Sequence, residues 1–475
     1  MKKLSLVAGI VALSMTAVAS DAFDFGFSPE ASAEANRAAL QKAFDAGGTV
    51  RVTRSGDYAI GGTVFIGDNT SLVCDNGVRF VKTKINNKGF SHVILNKGAL
   101  TKTWNQNIEI TGLHIVVNGV DGWATPVCGL RGQLAFFYAK DVRINRFRCL
   151  DVGRNQYCIH ACTFEDLIVD DVRISGKKDG VHLGRGKRFT IRNGVFSTGD
   201  DPIALNAHDY VSGSPELGWI EGGVVENCYD LYDPQTKAGY FCRILAGAWC
   251  DWREGMEVRQ GDAVVSEGRV YRVKMPSDGK VYVSKTRPTH KAGEAELDGI
   301  NWLMMQEGVI YNCGVRNVVF RDCYLYQPRT SFSVHYDDDN FSRSHYPGAK
   351  PPRQEGLVFE NINVLHNRNV PFIGVATPLD SISVSNCSLR NLGTGFSFTA
   401  PKSLTGAEVG RTQIQISNCR FYQEKNWMLV WNGVKDKEIE VKASGNMWYH
   451  PAFKANAWSS GPLSVTSDLL GTFKR

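Results

Sequence analysis

Two acidic sites stand 21 residues apart, Asp179 in Lys178-Asp179-Gly180 and Asp200-Asp201 in Gly199-Asp200-Asp201-Pro202-Ile203-Ala204-Leu205-Asn206. If that spacing is one turn of a parallel β-helix, neighbouring turns stack about 4.8 Å apart and three carboxyls converge on one patch of the outer wall. Like charges held that close titrate unequally, leaving an acid beside a base. Turn capping and calcium binding are the plainer readings, since Gly-Asp-Asp is common in turns. The chemistry that three clustered carboxyls support best is acid–base cleavage of a glycosidic bond.

Other polar groups lie near these acids in the sequence. Alternation along the strand after the acids turns Ile203 and Leu205 inward and Ala204 and Asn206 outward. His182 shares the outward parity of its own strand, and His208 follows just beyond Asn206. His335 lies in Ser333-Val-His335-Tyr-Asp337-Asp338-Asp339-Asn340 in a later turn, and Arg243 is flanked by Tyr240, Phe241 and Trp249. We expect His182, His208, Arg243, His335 and Lys178 to bind substrate, with Trp249 as a sugar-stacking platform. The run Asp337–Asp339 lacks the spacing of a calcium loop and reads as a solvated acidic loop.

These groups need a scaffold, and a loose repeat supplies one. Segments such as Val142-Arg-Ile-Asn, Leu167-Ile-Val-Asp and Phe189-Thr-Ile-Arg-Asn193 begin 25 and 22 residues apart, and a later set at 357, 382 and 414 is spaced by 25 and 32. Such periodicity marks a solenoid, whose units bury their faces only by stacking on one another. Asn at the fifth place suits a left-handed bend, and stacked Asn side chains can hydrogen-bond along the axis. A stretch from Ser28 to Ala46, ended by Gly47-Gly48, reads as a helix capping the first turn. From 251 to 306 the repeat stops. Strand runs joined by Gly turns there predict a small inserted β module, in which Trp252, Tyr271, Tyr282 and Trp302 form either a core or a sugar-stacking face.

The first residues, Met1-Lys2-Lys3, an apolar run from Leu4 to Val18 and Ala17-Val18-Ala19, have the form of a bacterial secretory signal over residues 1–19. No cysteine follows the run, so a lipid anchor is not expected, and the destination is the periplasm or the medium. No later run reaches the ~20 apolar residues of a membrane span. The formal charge of +6 arises from 54 basic and 48 acidic residues spread evenly, which gives no sign of nucleic-acid binding. Of the twelve cysteines, Cys228, Cys323, Cys387 and Cys419 share one place in the repeat and read as core packing. Cys158 and Cys162 could pair with each other, or either with Cys149.

The frame Asp179-Gly180 … Gly199-Asp200-Asp201-Pro202 … Arg243-Ile244 resembles the polygalacturonase family of glycoside hydrolases. The resemblance implies a right-handed parallel β-helix and single-displacement hydrolysis without cofactor or essential metal. It implies Asp200 as the general acid, Asp179 and Asp201 as the groups that hold and deprotonate water, and Arg243 as a substrate ligand. Inversion needs carboxyls about 6.5–9.5 Å apart. The chain departs from the family pattern at Lys177 and Lys178, where the family has Asn and Thr, and it has Gly222-Gly223 where a Gly-His-Gly would fall. Arg243-Ile244-Leu245 also lacks the lysine that grips galacturonate, so plain pectate is not the expected substrate.

The expectation is therefore an exported, monomeric all-β protein of residues 20–250 and 307–475, with the module at 251–306 between them. It would hydrolyse a polysaccharide or oligosaccharide. A lyase on the same fold, with Lys178, Arg185 or Arg243 as base, and a non-catalytic tailspike-like glycan binder are the alternatives.

Overall fold

The computed structural model describes residues 19–468 apart from 123, 391, 402, 405, 424–426 and 450–454, together with 473–474. The secretory-signal reading of residues 1–19 thus lies outside the described residues except for Ala19. No described helix is long and apolar enough to cross a membrane.

The chain is a parallel β-helix. Two long sheets, of 25 and 12 strands, are built by in-register parallel pairing of each turn on the next. At the N-terminal end lies α1 (Ala33–Ala46), which buries Leu40, Ala43 and Phe44 against the first turns. Its cap is Ser32, which accepts from the Ala35 N–H, so the helix begins at Ala33, five residues after the expected Ser28. The bends are made as the repeat implies. Asn193, Asn227, Asp322, Asn361, Asn386 and Asn418 have φ between 49° and 57°. They bond axially, Asn227 Nδ2 to Asn193 Oδ1 and Asn361 Nδ2 to Asp322 Oδ1 at 2.7 Å each.

One stack of strands positions the site: β1 (Ile159–Asp170), β2 (Val181–Leu183), β3 (Ile203–Asn206), β4 (Cys242–Leu245) and β5 (Phe332–His335). It continues through β6 (Pro371–Val375), β7 (Thr394–Phe398), β8 (Trp427–Asn432) and β9 (Ala455–Ser459). Ile159, Val181, Ile203, Cys242 and Phe332 form one inward column. Their neighbours His160, His182, Ala204, Arg243 and Ser333 form the outward column beside it.

Residues 250–307 make a separate five-stranded, mostly antiparallel sheet between β4 and β5. Trp252, Tyr271 and Trp302 are buried in it, so they are its core and not a sugar-stacking face. All twelve cysteines are free thiols, with Cys149, Cys158 and Cys162 unbridged.

Candidate active site

Asp179 and Asp201 occupy the same place on successive turns, two residues before Val181 and Ile203, which pair directly. The in-register partner of Asp179 is therefore Asp201, while Asp200 stands across from Lys178. Each of the three acids offers an oxygen within 4.8 Å of the others. That is tighter than the about 6.5–9.5 Å expected for an inverting pair.

The three differ in environment. Asp200 keeps 24% of its side chain exposed and is ion-paired with the Lys178 ammonium. Its carbonyl accepts from Thr198 Oγ1 at 2.8 Å and Arg329 Nη1 at 2.7 Å, which fixes the turn. Asp201 is 1% exposed and accepts from the Tyr240 N–H at 2.7 Å. Burial, with Asp200 and Asp179 beside it, holds its carboxyl well above the usual carboxylate range. Asp179 is equally buried, and burial alone would raise it. Lys178 Nζ at 3.4 Å and the His182 hydrogen bond at 2.8 Å outweigh that and bring it down to about 2. The cluster thus sets a protonated acid one rung from a carboxylate. Asp179 Oδ1 and Asp201 Oδ2 are buried and have no hydrogen-bond partner among the described residues, with the Lys178 ammonium 3.4 Å from the first.

His182, expected as a substrate ligand, is enclosed by protein groups. It is buried between Asp179 and Asp209, 2.8 Å from one and 3.2 Å from the other, and stacks on Tyr157 with ring centres 3.9 Å apart. Burial opposes its charge, but the two carboxylates win and hold its pKa above the usual value. Asp209, which sequence reasoning passed over for its neighbour His208, closes this chain. Burial would raise its carboxyl too, but the His182 hydrogen bond takes it below the usual range.

The other expected ligands divide. Arg243 faces the outward side of β4, one rung beyond Ala204, and is held by Asp337 Oδ1 at 2.6 Å. His335 lies 3.7 Å from the same carboxylate oxygen and bonds Ser333 Oγ at 2.9 Å, beside the Tyr240 ring. Burial and Arg243 push His335 down to about 3, so it serves as a neutral group. His208 is buried against Gly247 and Trp249 and does not reach the acids. Trp249, at 2% exposure, is packed in the hydrophobic core beyond the end of the strand at Leu245 and does not present a stacking face. The acidic run is solvated from Asp338 to Asn340, and only its first member, Asp337, departs from that expectation. Asp337 is buried on Arg243, Asp338 pairs with Arg259, and Asp339 accepts from the Phe341 and Ser342 N–H groups.

The inserted sheet braces this arrangement. Arg272, fully buried, donates to the Asp209 carbonyl at 2.6 Å, Asp262 pairs with Arg343, and Tyr346 Oη donates to the Glu257 carbonyl at 2.9 Å. Both loops that bear on the acids, at Asp209 and Asp337, are thereby tied to one small domain.

A buried acid that stays protonated is a liability to the fold. The raised carboxyl of Asp201 disfavours the native state increasingly as pH climbs above the unfolded value near 3.9. Asp201→Asn is therefore expected to melt a few degrees higher than wild type at pH 7 and by much less at pH 4. Equal shifts at the two pH values, or a lower melting point at pH 7, would show that the carboxyl carries no such penalty.

No protein-family model matches the sequence, and no curated protein matches it. Among solved structures, the chain resembles a Yersinia enterocolitica family 28 exopolygalacturonase, with 11% identity over 94% of this chain and 78% of that one and a TM-score of 0.50. An α-1,3-glucanase catalytic unit from Streptomyces thermodiastaticus (13% identity, 99% and 72% covered, TM-score 0.48) and a tailspike protein of E. coli bacteriophage HK620 (10%, 94% and 80%, 0.49) are further matches. At this identity the likeness to the exopolygalacturonase shows the parallel β-helix fold and no more.

Proposed function

We propose that this chain is an exported glycoside hydrolase that cleaves a glycosidic bond by acid–base catalysis at Asp179, Asp200 and Asp201. The observation that carries the reading is the unequal cluster: a buried carboxyl that keeps its proton, Asp201, in register with an ionised one, Asp179. Asp200, the accessible member, meets the glycosidic oxygen, with the cluster's proton supplied through Asp201. Water adds to the anomeric carbon as the C–O bond breaks, and its proton passes to Asp179. Arg243, fixed by Asp337, would hold a substrate oxygen one rung away, and Lys178 keeps the clustered carboxyls from repelling one another. The family 28 exopolygalacturonase supports this reading through its fold.

The lyase reading keeps one observation in its favour, since three carboxylate oxygens within 4.8 Å suit a divalent cation. Against it, the Lys178 ammonium already lies between Asp179 and Asp200.

Incubation of the protein with a panel of acidic and neutral polysaccharides distinguishes these. New reducing ends without ultraviolet absorbance are the expected result, and proton NMR of the first product formed then gives the anomeric outcome. Absorbance from unsaturated ends would transfer the site to lyase chemistry. Binding without any cleavage would make the chain a glycan adhesin.

A further inference from the structure

The outward column that carries Arg243 is unequal on its two sides. Toward the N-terminus, its members Leu95, Ala135, His160 and His182 are buried. Loops cover them: Cys128 Sγ meets the Val211 carbonyl at 3.9 Å, and a β-carbon on Gly129 would strike the Ser214 backbone at 2.7 Å. Beneath the same loops Leu95, Ala135, Phe137 and Cys162 form a closed apolar cluster. A glycan has no path along the column in that direction.

Toward the C-terminus the column runs Arg243, Ser333, Gly374, Ser397, Trp431, Trp458, each paired with the next from β4 to β9, with one register shift between Met428 and Val430 ahead of the last pair. Ser333, next to Arg243, is buried, and Gly374 and Ser397 are half-buried and small, so from Ser397 to Gly374 no large side chain of the column rises from the floor. Trp431 and Trp458 then stand 37% and 36% exposed, ring centres 5.7 Å apart and inclined by 24°. The Trp431 ring also lies over Gly433, where a β-carbon would come within 2.5 Å of it. Glycine there lets the indole lie down on the wall. Four rungs separate Arg243 from Trp431, about 19 Å at the β spacing, which is the reach of a short oligosaccharide.

We infer that Trp431 and Trp458 form a distal platform that holds the polymer portion of the glycan, which enters from the C-terminal turns and reaches the acids near its end. The inference rests on the glycan-cleaving reading for the cleavage step alone, because the platform is a binding site in its own right. Sugar rings present apolar faces that stack on indoles, and the two nearly parallel rings give successive units the same surface.

The test is electrophoresis of wild type, Trp431→Ala/Trp458→Ala and Trp431→Phe/Trp458→Phe through gels containing polygalacturonate, arabinoxylan, dextran or alginate. A melting curve of each variant checks that it is folded. For any polymer that retards wild type, the alanine pair is expected to bind about tenfold more weakly and the phenylalanine pair to keep most of the retardation. Where wild type also cleaves that polymer, KM on the polymer should rise by a similar factor while turnover of a trisaccharide from it is unchanged. Loss of retardation by a folded alanine pair supports the platform whether or not cleavage occurs, and so separates it from the hydrolase reading. An alanine pair retarded like wild type overturns the platform even if the enzyme is active, as does a wild type that no gel retards.

Discussion

Asp200→Asn is expected to lower kcat on any cleaved glycan by about 10²–10⁴-fold, the range that one positioned proton donor contributes. The expectation follows from accessibility: of the three clustered acids, Asp200 alone has an exposed side chain, so it alone can touch a glycosidic oxygen. Asparagine keeps the size and the turn, since Thr198 and Arg329 hold the residue through its backbone carbonyl. The circular dichroism spectrum and melting temperature should therefore stay close to wild type while turnover falls. A variant that keeps more than about a tenth of wild-type kcat would move the proton donor elsewhere in the cluster.

Arg329→Met is expected to be the most damaging single change to the fold near the site. The guanidinium makes two bonds to the fully buried Asp230, at 2.9 and 2.6 Å, and a third to the Asp200 carbonyl. Removing one partner of a buried pair leaves a charge without compensation, at a cost of about 3–5 kcal/mol. Asp230 is already raised by burial despite its arginine, so the variant would take up a proton there. The double change Arg329→Met/Asp230→Leu should recover much of the loss in denaturant unfolding, because both polar groups are then gone. A single variant within about 1 kcal/mol of wild type, or a double variant no better than the single, would mean that the pair is not what holds this turn.

What could be read from the chain and what could not divide along a physical line. The repeat gives strand parity directly, so the inward Ile203 and Leu205, the axial Asn ladder and the acidic patch were all accessible to alternation and spacing. Register was off by one residue: a 21-residue spacing points to Asp200 beneath Asp179, whereas the turn is 22 residues long between Val181 and Ile203 and pairs Asp179 with Asp201. The partners that set the chemistry come from loops, which carry no period. Asp209 reaches back to His182, Asp337 reaches Arg243, and Arg329 returns over 129 residues to the Asp200 carbonyl. Trp249 misled because proximity to Arg243 in sequence ends where β4 ends. Trp431 and Trp458 escaped notice for the opposite reason, since nearly 190 residues separate Arg243 from the first of them, yet the column joins them.

Because Asp179 and Asp201 sit at equivalent points of consecutive turns, their separation is a lattice constant and not an adjustable contact. Repacking a neighbour can tilt either carboxyl, but it cannot slide one past the other, since the backbone ladder between Val181 and Ile203 fixes the step. The backbone step between these two acids can change only in whole rungs, by inserting a turn between them. A lineage built on this frame would alter its chemistry by exchanging residues at fixed addresses, and its reach by adding turns beyond them.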